Sequence, residues 1–344
     1  MDLHHRCSGS ELVLGWDGLP RGQLIVSLPV VFSPAFMMTS QPLIGCFPLQ
    51  SAVICERDFR KESPIKSLFT IADLQSWRQE CWQAAKTVAF VPTMGALHQG
   101  HASLIQRGKQ EAGAVVCSIF VNPLQFGPNE DFSKYPRVLQ SDVALLESLG
   151  ADAVFAPSIQ EMYPPTAQTR IHNTKMADIL CGAMRPGHFE GVLTVVMKLF
   201  NLVQPDVAIF GLKDYQQFKV IEQMVADFYI PIRLIGSETV RESDGLAMSS
   251  RNRYLSPETR QDAVSISRGL RAAQHAFAAG ERDVQRLKDL AHREVSPKFT
   301  IDYFEICSRQ SFEILSSKAD VPCVLLFAGK LGDVRLIDNL ELDS

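Results

Sequence analysis

The chain has 344 residues, 46% of them apolar, and a formal net charge of −4 at pH 7. That length suits two domains at about 100–200 residues each, and the apolar fraction supports a sizeable core. The balanced charge gives no electrostatic footprint for nucleic acid or an anionic membrane, and no apolar run reaches bilayer length.

Residues 1–64 carry Pro20, Pro29, Pro34, Pro42, Pro48 and Pro64 without sustained periodicity. Prolines break the apolar stretch GQLIVSLPVVFSPAFMM, which also lacks the basic start of a secretion signal. The segment reads as a poorly ordered N-terminal extension, or as residues from an upstream start codon. From residue 65 the pattern becomes regular. Helical spacing over 70–85 precedes a buried strand at 87–91, and a helix follows from His101 to Glu111. A strand at 112–121, a helix at 138–150 and a strand at 151–156 come next. Then follow a helix at 191–203, a strand at 206–211, a helix at 214–228 and a strand at 231–236. Strands alternating with helices of these lengths predict a parallel sheet with helices on both faces, hence an α/β fold. Beyond residue 240 the pattern changes to helices at 257–279 and 282–295 and strands at 300–307 and 321–329, a smaller α+β domain. The predicted division is 1–64, 65–239 and 240–344.

Eight cysteines, at positions 7, 46, 55, 81, 117, 181, 307 and 323, form no CxxC pair. Several sit in apolar runs, which predicts reduced thiols of a cytosolic protein.

Four strand ends gather polar side chains, and ligands of open parallel sheets bind there. In VPTMGALHQGHASLI, His98 and His101 lie three apart at the start of a helix, where they can face one ligand. The helix N-terminus offers backbone N–H groups to an anion, and Gly100 lets a nucleotide approach the backbone. The motif is neither a Walker A loop nor the glycine-rich dinucleotide fingerprint. In FVNPLQFGPNEDFSKYPR, Asn122 and Gln125 are neutral, directional partners for a carboxylate or hydroxyl. In FGLKDYQQFKVI, Lys213 suits a phosphate, Asp214 suits either a helix cap or a magnesium-linked carboxylate, and Gln217 lies one turn further on. In VRESDGLAMSSRNRYLS, Ser249, Ser250 and Arg251 form a compact set of phosphate donors.

Together PTMGALHQGH, VNPLQFGPNEDFSKYPR, RPGHFEGVLTVVMKLFNLVQPDVAIFGLKDYQQ, DGLAMSSRNRYLS and LGDVRLIDN resemble the pantothenate synthetase (pantoate–β-alanine ligase) family, over residues 66–340. The first motif also resembles the nucleotide-binding loop of the wider nucleotidyltransferase superfamily. The resemblance implies a Rossmann-like nucleotide-binding domain with a C-terminal lid. It implies ATP-dependent condensation of (R)-pantoate with β-alanine through a pantoyl adenylate, giving pantothenate, AMP and pyrophosphate. It also implies a cytoplasmic homodimer using Mg2+, with unassigned metal ligands. Met94, Gly95, Ala96, Leu97, His98, Gln99, Gly100 and His101 match the ATP loop, with His101 as proton donor and His98 as its companion. Gly211, Leu212, Lys213 and Asp214 match a second ATP stretch, and Val240 an adenine-side contact. Met248, Ser249, Ser250 and Arg251 match a mobile phosphate-binding segment. His98, His101, Lys213, Ser249, Ser250 and Arg251 are the expected catalytic set. Gln125, Gln217 and Asn122 are the expected pantoate and β-alanine set.

Three departures stand out: Leu212 where the family has glutamate, ICSRQSFEIL in place of a more acidic run, and FAGKLG in place of an alanine-rich one. Two other readings remain open from sequence, a different nucleotidylyltransferase and an inactive nucleotide-binding module.

Overall fold

The computed structural model describes residues 64–128 and 130–343. The N-terminal extension, with Cys7, Cys46 and Cys55, lies outside the described residues apart from Pro64.

Strand β1 (Lys66–Leu68) leads into α1 (Ile71–Gln83), whose start is a reciprocal cap between Thr70 and Asp73. Leu74, Trp77 and Cys81 recur at helical spacing on its buried side. Then come β2 (Val88–Thr93), α2 (Gln99–Glu111), β3 (Ala114–Ile119), α3 (Leu139–Ser148) and β4 (Ala153–Phe155). Two single-turn helices, α4 (Ile159–Met162) and α5 (Cys181–Met184), precede α6 (His188–Val203), β5 (Val207–Gly211), α7 (Tyr215–Asp227) and β6 (Arg233–Ser237). The six strands form one sheet in the order β1-β4-β3-β2-β5-β6, and every pairing is parallel. The expected α/β architecture is present.

Alternation along β2 sets the layers. Val88 and Phe90 join a core with α1, α6 and α7, whereas Ala89 and Val91 join a second core with α2 and α3. Chain order places β3 and β4 on one side of β2 and β5 and β6 on the other. The loops that leave β2 and β5 therefore diverge and open a crevice at the carboxyl end of the sheet.

After residue 240, α8 (Pro257–Ala278) and α9 (Val284–Glu294) cover a three-stranded antiparallel sheet of β7 (Thr300–Ser308), β8 (Cys323–Leu331) and β9 (Val334–Leu342). Both sheets fall within one compact unit. Tyr215 at the start of α7 stacks on Phe312, and both pack with Cys307, Val324 and Leu326 from the second sheet. Phe312 belongs to the divergent ICSRQSFEIL run, so that departure serves the seam between the sheets. Two strands escape the sequence pattern. β1 is too short to show a period, and β9 buries Asp338 and Asn339 in succession, which destroys the alternation expected of a half-buried strand.

Helix α6 comes unusually close to the turn at Pro123–Gln125. A Cβ at Gly191 would stand 2.4 Å from the Leu124 carbonyl oxygen, and the Gly191 carbonyl accepts from Asn122 Nδ2 at 3.0 Å. Gly191→Ala must push helix and turn apart. It is expected to cost about 1–3 kcal/mol, as overpacking does. Urea unfolding midpoints of the two proteins check this, and equal midpoints would show that the turn yields freely.

Candidate active site

The crevice between β2 and β5 holds a cavity of about 240 Å3. Of the sequence-predicted residues, it brings together Met94, His98, Gly100, His101, Asn122, Gln125, Gly211, Lys213, Asp214, Gln217, Val240, Met248, Ser249, Ser250 and Arg251. Gly95, Ala96, Leu97, Gln99 and Leu212 are not part of its lining. Gln99 is exposed on α2. Gly95 and Ala96 take positive φ values of 82° and 52°. The amides of Ala96 and Leu97 turn away from the cavity onto the Asp142 carboxylate, at 2.9 and 2.8 Å. Burial holds the Asp142 carboxyl above the usual carboxylate range, against the lowering effect of these two donors. Leu212 packs in the seam between the sheets and beside Gly236, so an apolar side chain stands in apolar surroundings.

The two histidines cap α2 reciprocally. Gly100 N–H donates to His98 Nδ1 at 3.1 Å, and His98 N–H donates to His101 Nδ1 at 3.3 Å. The Gly100 amide is thus taken by an imidazole, and a Cβ at Gly100, which lines the cavity, would meet the His98 ring at 2.9 Å. Burial, followed by the Lys213 cation, pushes His98 down to about 4. Burial, followed by His98, pushes His101 down to about 3. Both rings are therefore neutral at pH 7. Since each Nδ1 accepts, each proton sits on Nε2, the one ring nitrogen left to donate. The ring centroids lie 4.1 Å apart, so the two donors act on one small region.

The Asn122–Gln125 pair is similarly oriented by its surroundings. Asn122 is 1% exposed. Its Oδ1 accepts from Tyr163 Oη at 2.9 Å and from Leu124 N–H at 3.3 Å. Its Nδ2 donates to Gln125 Oε1 and to the Gly191 carbonyl, each at 3.0 Å. Gln125 must then present its NH2, which rests 3.2 Å from Met94 Sδ, a weak acceptor that a carboxylate would displace. Asn122 is fully engaged, so it orients Gln125 rather than offering its own amide. Gln217 and Gln216 differ in the same way. Gln217 lines the cavity, while buried Gln216 binds the backbone of Met176, Ile179 and Cys181.

Lys213 stands 3.7 Å from Asp214 in the turn after β5. Asp214 occupies the cap position of α7 without making a side-chain cap bond, so the cap reading is corrected. Burial raises its carboxyl pKa, but Lys213, Arg251 and Arg185 outweigh that and hold it below the ordinary value. Arg251 is clasped by Asp131, at 3.0 and 3.3 Å, and Ser249 accepts from its backbone N–H. Backbone pairing of Met248 with Val240 ties this segment to the end of the sheet.

Sequence reasoning missed Arg185 and His188, which also line the cavity. Arg185 forms a bidentate pair with Glu130 at 2.6 Å and donates to His188 Nε2 at 2.9 Å. His188 therefore carries its proton on Nδ1, which donates to the Gln125 carbonyl at 2.8 Å. Burial, then Arg185, pushes its pKa to about 4. The RPGH stretch places an arginine and a histidine three apart just before a helix, the spacing that flagged His98 and His101. Among the described residues no cluster of three His, Cys, Asp or Glu side chains could hold a metal ion, and no helix is long and apolar enough to cross a membrane.

A family model described as pantoate-beta-alanine ligase matches residues 66–341. The chain is 49% identical over 278 residues to pantothenate synthetase 1 of Bradyrhizobium diazoefficiens, covering 81% of this chain and 98% of that relative. It is 47% identical over 280 residues to the pantothenate synthetase of Thermotoga petrophila, covering 81% and 100%. The crystal structure of pantothenate synthetase from Thermus thermophilus superposes with a TM-score of 0.77 at 44% identity, over 81% of this chain and all of that one. The pantoate-β-alanine ligase of Francisella tularensis, complexed with β-γ ATP and β-alanine, does so at 0.68 and 36%, over 81% and 98%.

The proton positions are testable. Nitrogen-15 NMR should find His98 and His101 as Nε2–H tautomers and His188 as the Nδ1–H tautomer, none titrating above about pH 5. All three folded pKa values lie below the ordinary 6.5. Between those values and 6.5 the unfolded chain binds more protons, so stability is complete above that window and falls as pH drops through it. A titration near pH 6.5 at either cap would refute the neutral-donor geometry.

Proposed function

The chain belongs to the pantoate–β-alanine ligase family, and from that premise we propose that its cavity works by adenylation followed by aminolysis. The enzyme condenses pantoate with β-alanine using ATP. The observation that carries the mechanistic reading is the convergence of two neutral imidazole donors, one lysine and two glutamine amides on one cavity at the sheet's switch point.

In the first step the pantoate carboxylate attacks the α-phosphorus of ATP. The bond from that phosphorus to its bridging oxygen breaks, and pyrophosphate leaves. His98 and His101 donate from Nε2 to the oxygen charge that grows on the α-phosphoryl group. This makes His101 a neutral hydrogen-bond donor rather than an imidazolium acid. Lys213 supplies the fixed positive charge, and Ser249, Ser250 and Arg251 hold the leaving phosphates. Gly211, Val240 and Met248 shape the nucleoside side, while the turn from Met94 to His101 sets the histidines. Gln125 and Gln217 grip pantoate with neutral amides, which orient its oxygens without quenching their charge as an arginine pair would. In the second step the amine of β-alanine attacks the pantoyl carbonyl. The amide forms, the acyl–oxygen bond breaks and AMP leaves. Holding the amine beside the carbonyl suffices for this step.

Magnesium fits as a companion of the nucleotide. Asp214 lines the cavity with a carboxylate that makes no cap bond, and Mg2+ typically takes one or two protein carboxylates together with substrate phosphates. Bound there, it would offset phosphate charge. Residues 65–239 carry the nucleotide and pantoate in this reading, and 240–344 form the cover. A cytosolic homodimer is part of it too, supported by family likeness. Among the described residues, the five cysteines at 81, 117, 181, 307 and 323 are buried and unpaired, which suits a reducing compartment.

Pyrophosphate–ATP exchange without β-alanine tests the mechanism. Exchange should require pantoate, and added β-alanine should then release AMP and pantothenate. His101→Ala should slow exchange by about a hundredfold or more with a smaller loss of ATP affinity. Pantoate-independent exchange, or near-normal turnover in that variant, would sink the assignment.

A second measurement separates the amides. Gln125→Ala and Gln217→Ala should each cost about 1–3 kcal/mol of pantoate binding, roughly tenfold or more in its apparent constant. ATP binding to the free enzyme should hardly change. Equal losses for both ligands would make the glutamines structural.

A further inference from the structure

The LGDVRLIDN motif ends on two buried polar residues, Asp338 and Asn339, that the adenylation reading leaves without a task. They are 3% and 6% exposed, on a strand otherwise flanked by Leu336, Ile337, Leu340 and Leu342. Burying two polar side chains in succession is costly unless every donor and acceptor finds a partner. Asn339 Nδ2 donates both its protons across the seam between the sheets, to the carbonyls of Leu212 and Lys213, each at 2.8 Å. Those carbonyls belong to the turn that carries Lys213 and Asp214 into the cavity. Asp338 grips the neighbouring segment that leaves β6. Its two oxygens accept from Arg241 at 2.7 and 3.0 Å, one of them also takes the Asn339 N–H at 2.8 Å, and Arg241 follows the cavity-lining Val240. One dipeptide on the second sheet thus holds the two neighbouring segments that leave β5 and β6, on one side of the cleft.

We propose that Asn339, anchored by Asp338, is a positioning residue that fixes the Lys213 turn and so sets where the lysine charge meets the transferring phosphoryl group. A primary amide suits this role because a single nitrogen carries two protons and no charge. A carboxylate would face two carbonyl dipoles, a hydroxyl would satisfy only one, and an alkyl group would leave both without this donor. Catalytic electrostatics depend steeply on placement, and a displacement of about 1 Å costs up to a hundredfold in rate. The inference rests on the adenylation mechanism, and it gives the second sheet a direct part in the first chemical step.

The test is a double-mutant cycle on pantoate-dependent pyrophosphate–ATP exchange, using the full chain as wild type, Asn339→Ala, Lys213→Ala and the pair. Thermal melting is followed in parallel. Asn339→Ala should lower the exchange rate about ten- to a hundredfold while the pantoate constant changes little. In the Lys213→Ala background the same change should cost almost nothing more, because two residues that act through one contact are not additive. Should the alanine variant melt below the assay temperature, Asn339→Ser, which keeps one donor, carries the same cycle with a smaller loss. Unchanged exchange in a folded Asn339 variant, or losses that multiply across the cycle, would overturn the positioning role alone. Absence of pantoate-dependent exchange in the wild type would overturn the mechanism and this inference together.

Discussion

The connections from β2 and β5 depart to opposite sides of the same parallel sheet, and the gap between them is the condition for everything in the cavity. A parallel sheet sends every strand's carboxyl end to one edge, so loops distant in sequence meet there. The gap must then be walled by loops whose backbone polar groups are satisfied without closing it. Asp142 takes the amides of Ala96 and Leu97 behind the first loop. His98 and His101 take those of Gly100 and His98 at its end. The loop is thereby held from behind and capped in front, and the imidazole edges left over are what the cavity receives.

Charge in the cleft is organised by pairing. Arg185 lies on Glu130, Arg251 on Asp131 and Arg241 on Asp338, each through two guanidinium nitrogens. Bidentate pairs give direction as well as energy, and removing one partner strands a charge that burial penalises. Lys213 is different, because its partner stands at 3.7 Å and its head is a compact point charge. Arg185 and Arg241 build walls around a cation left freer to act on a ligand.

Legibility in the sequence followed the range of the interaction. The α/β alternation was readable because Val88, Phe90, Ala89 and Val91 alternate locally, and the four polar clusters were readable because each sits within one strand-to-helix turn. The start of α2 was placed at His101 rather than Gln99, since histidines are not ordinary cap residues. A cap was one of two readings of Asp214's place at the helix entry, and the carboxylate makes no cap bond there, with Lys213 and Arg251 as charged neighbours. Asp142 and Asn339 were not singled out because their partners lie on other elements, and Arg185 and His188 were passed over although their spacing of three was a local signal. Only folding shows that Asn122 reaches Gly191 or that Arg185 reaches Glu130.

The widest sequence separations in the site have a kinetic meaning. The amide of Asn339 meets a carbonyl 127 residues away, and the Arg251 guanidinium meets the Asp131 carboxylate at 120. Closing such loops costs entropy before any contact rewards it, so these joins form late, after local turns and helices. The cleft therefore takes its final shape only once strands distant in sequence have paired. The cleft floor is shared with the cores through Leu104, Phe120, Val192, Leu199 and Phe210, whereas its polar walls hang on these long-range hydrogen bonds, so the walls open at less cost in free energy than global unfolding. Under mild denaturant, activity is then the first property to go, while most of the secondary structure persists.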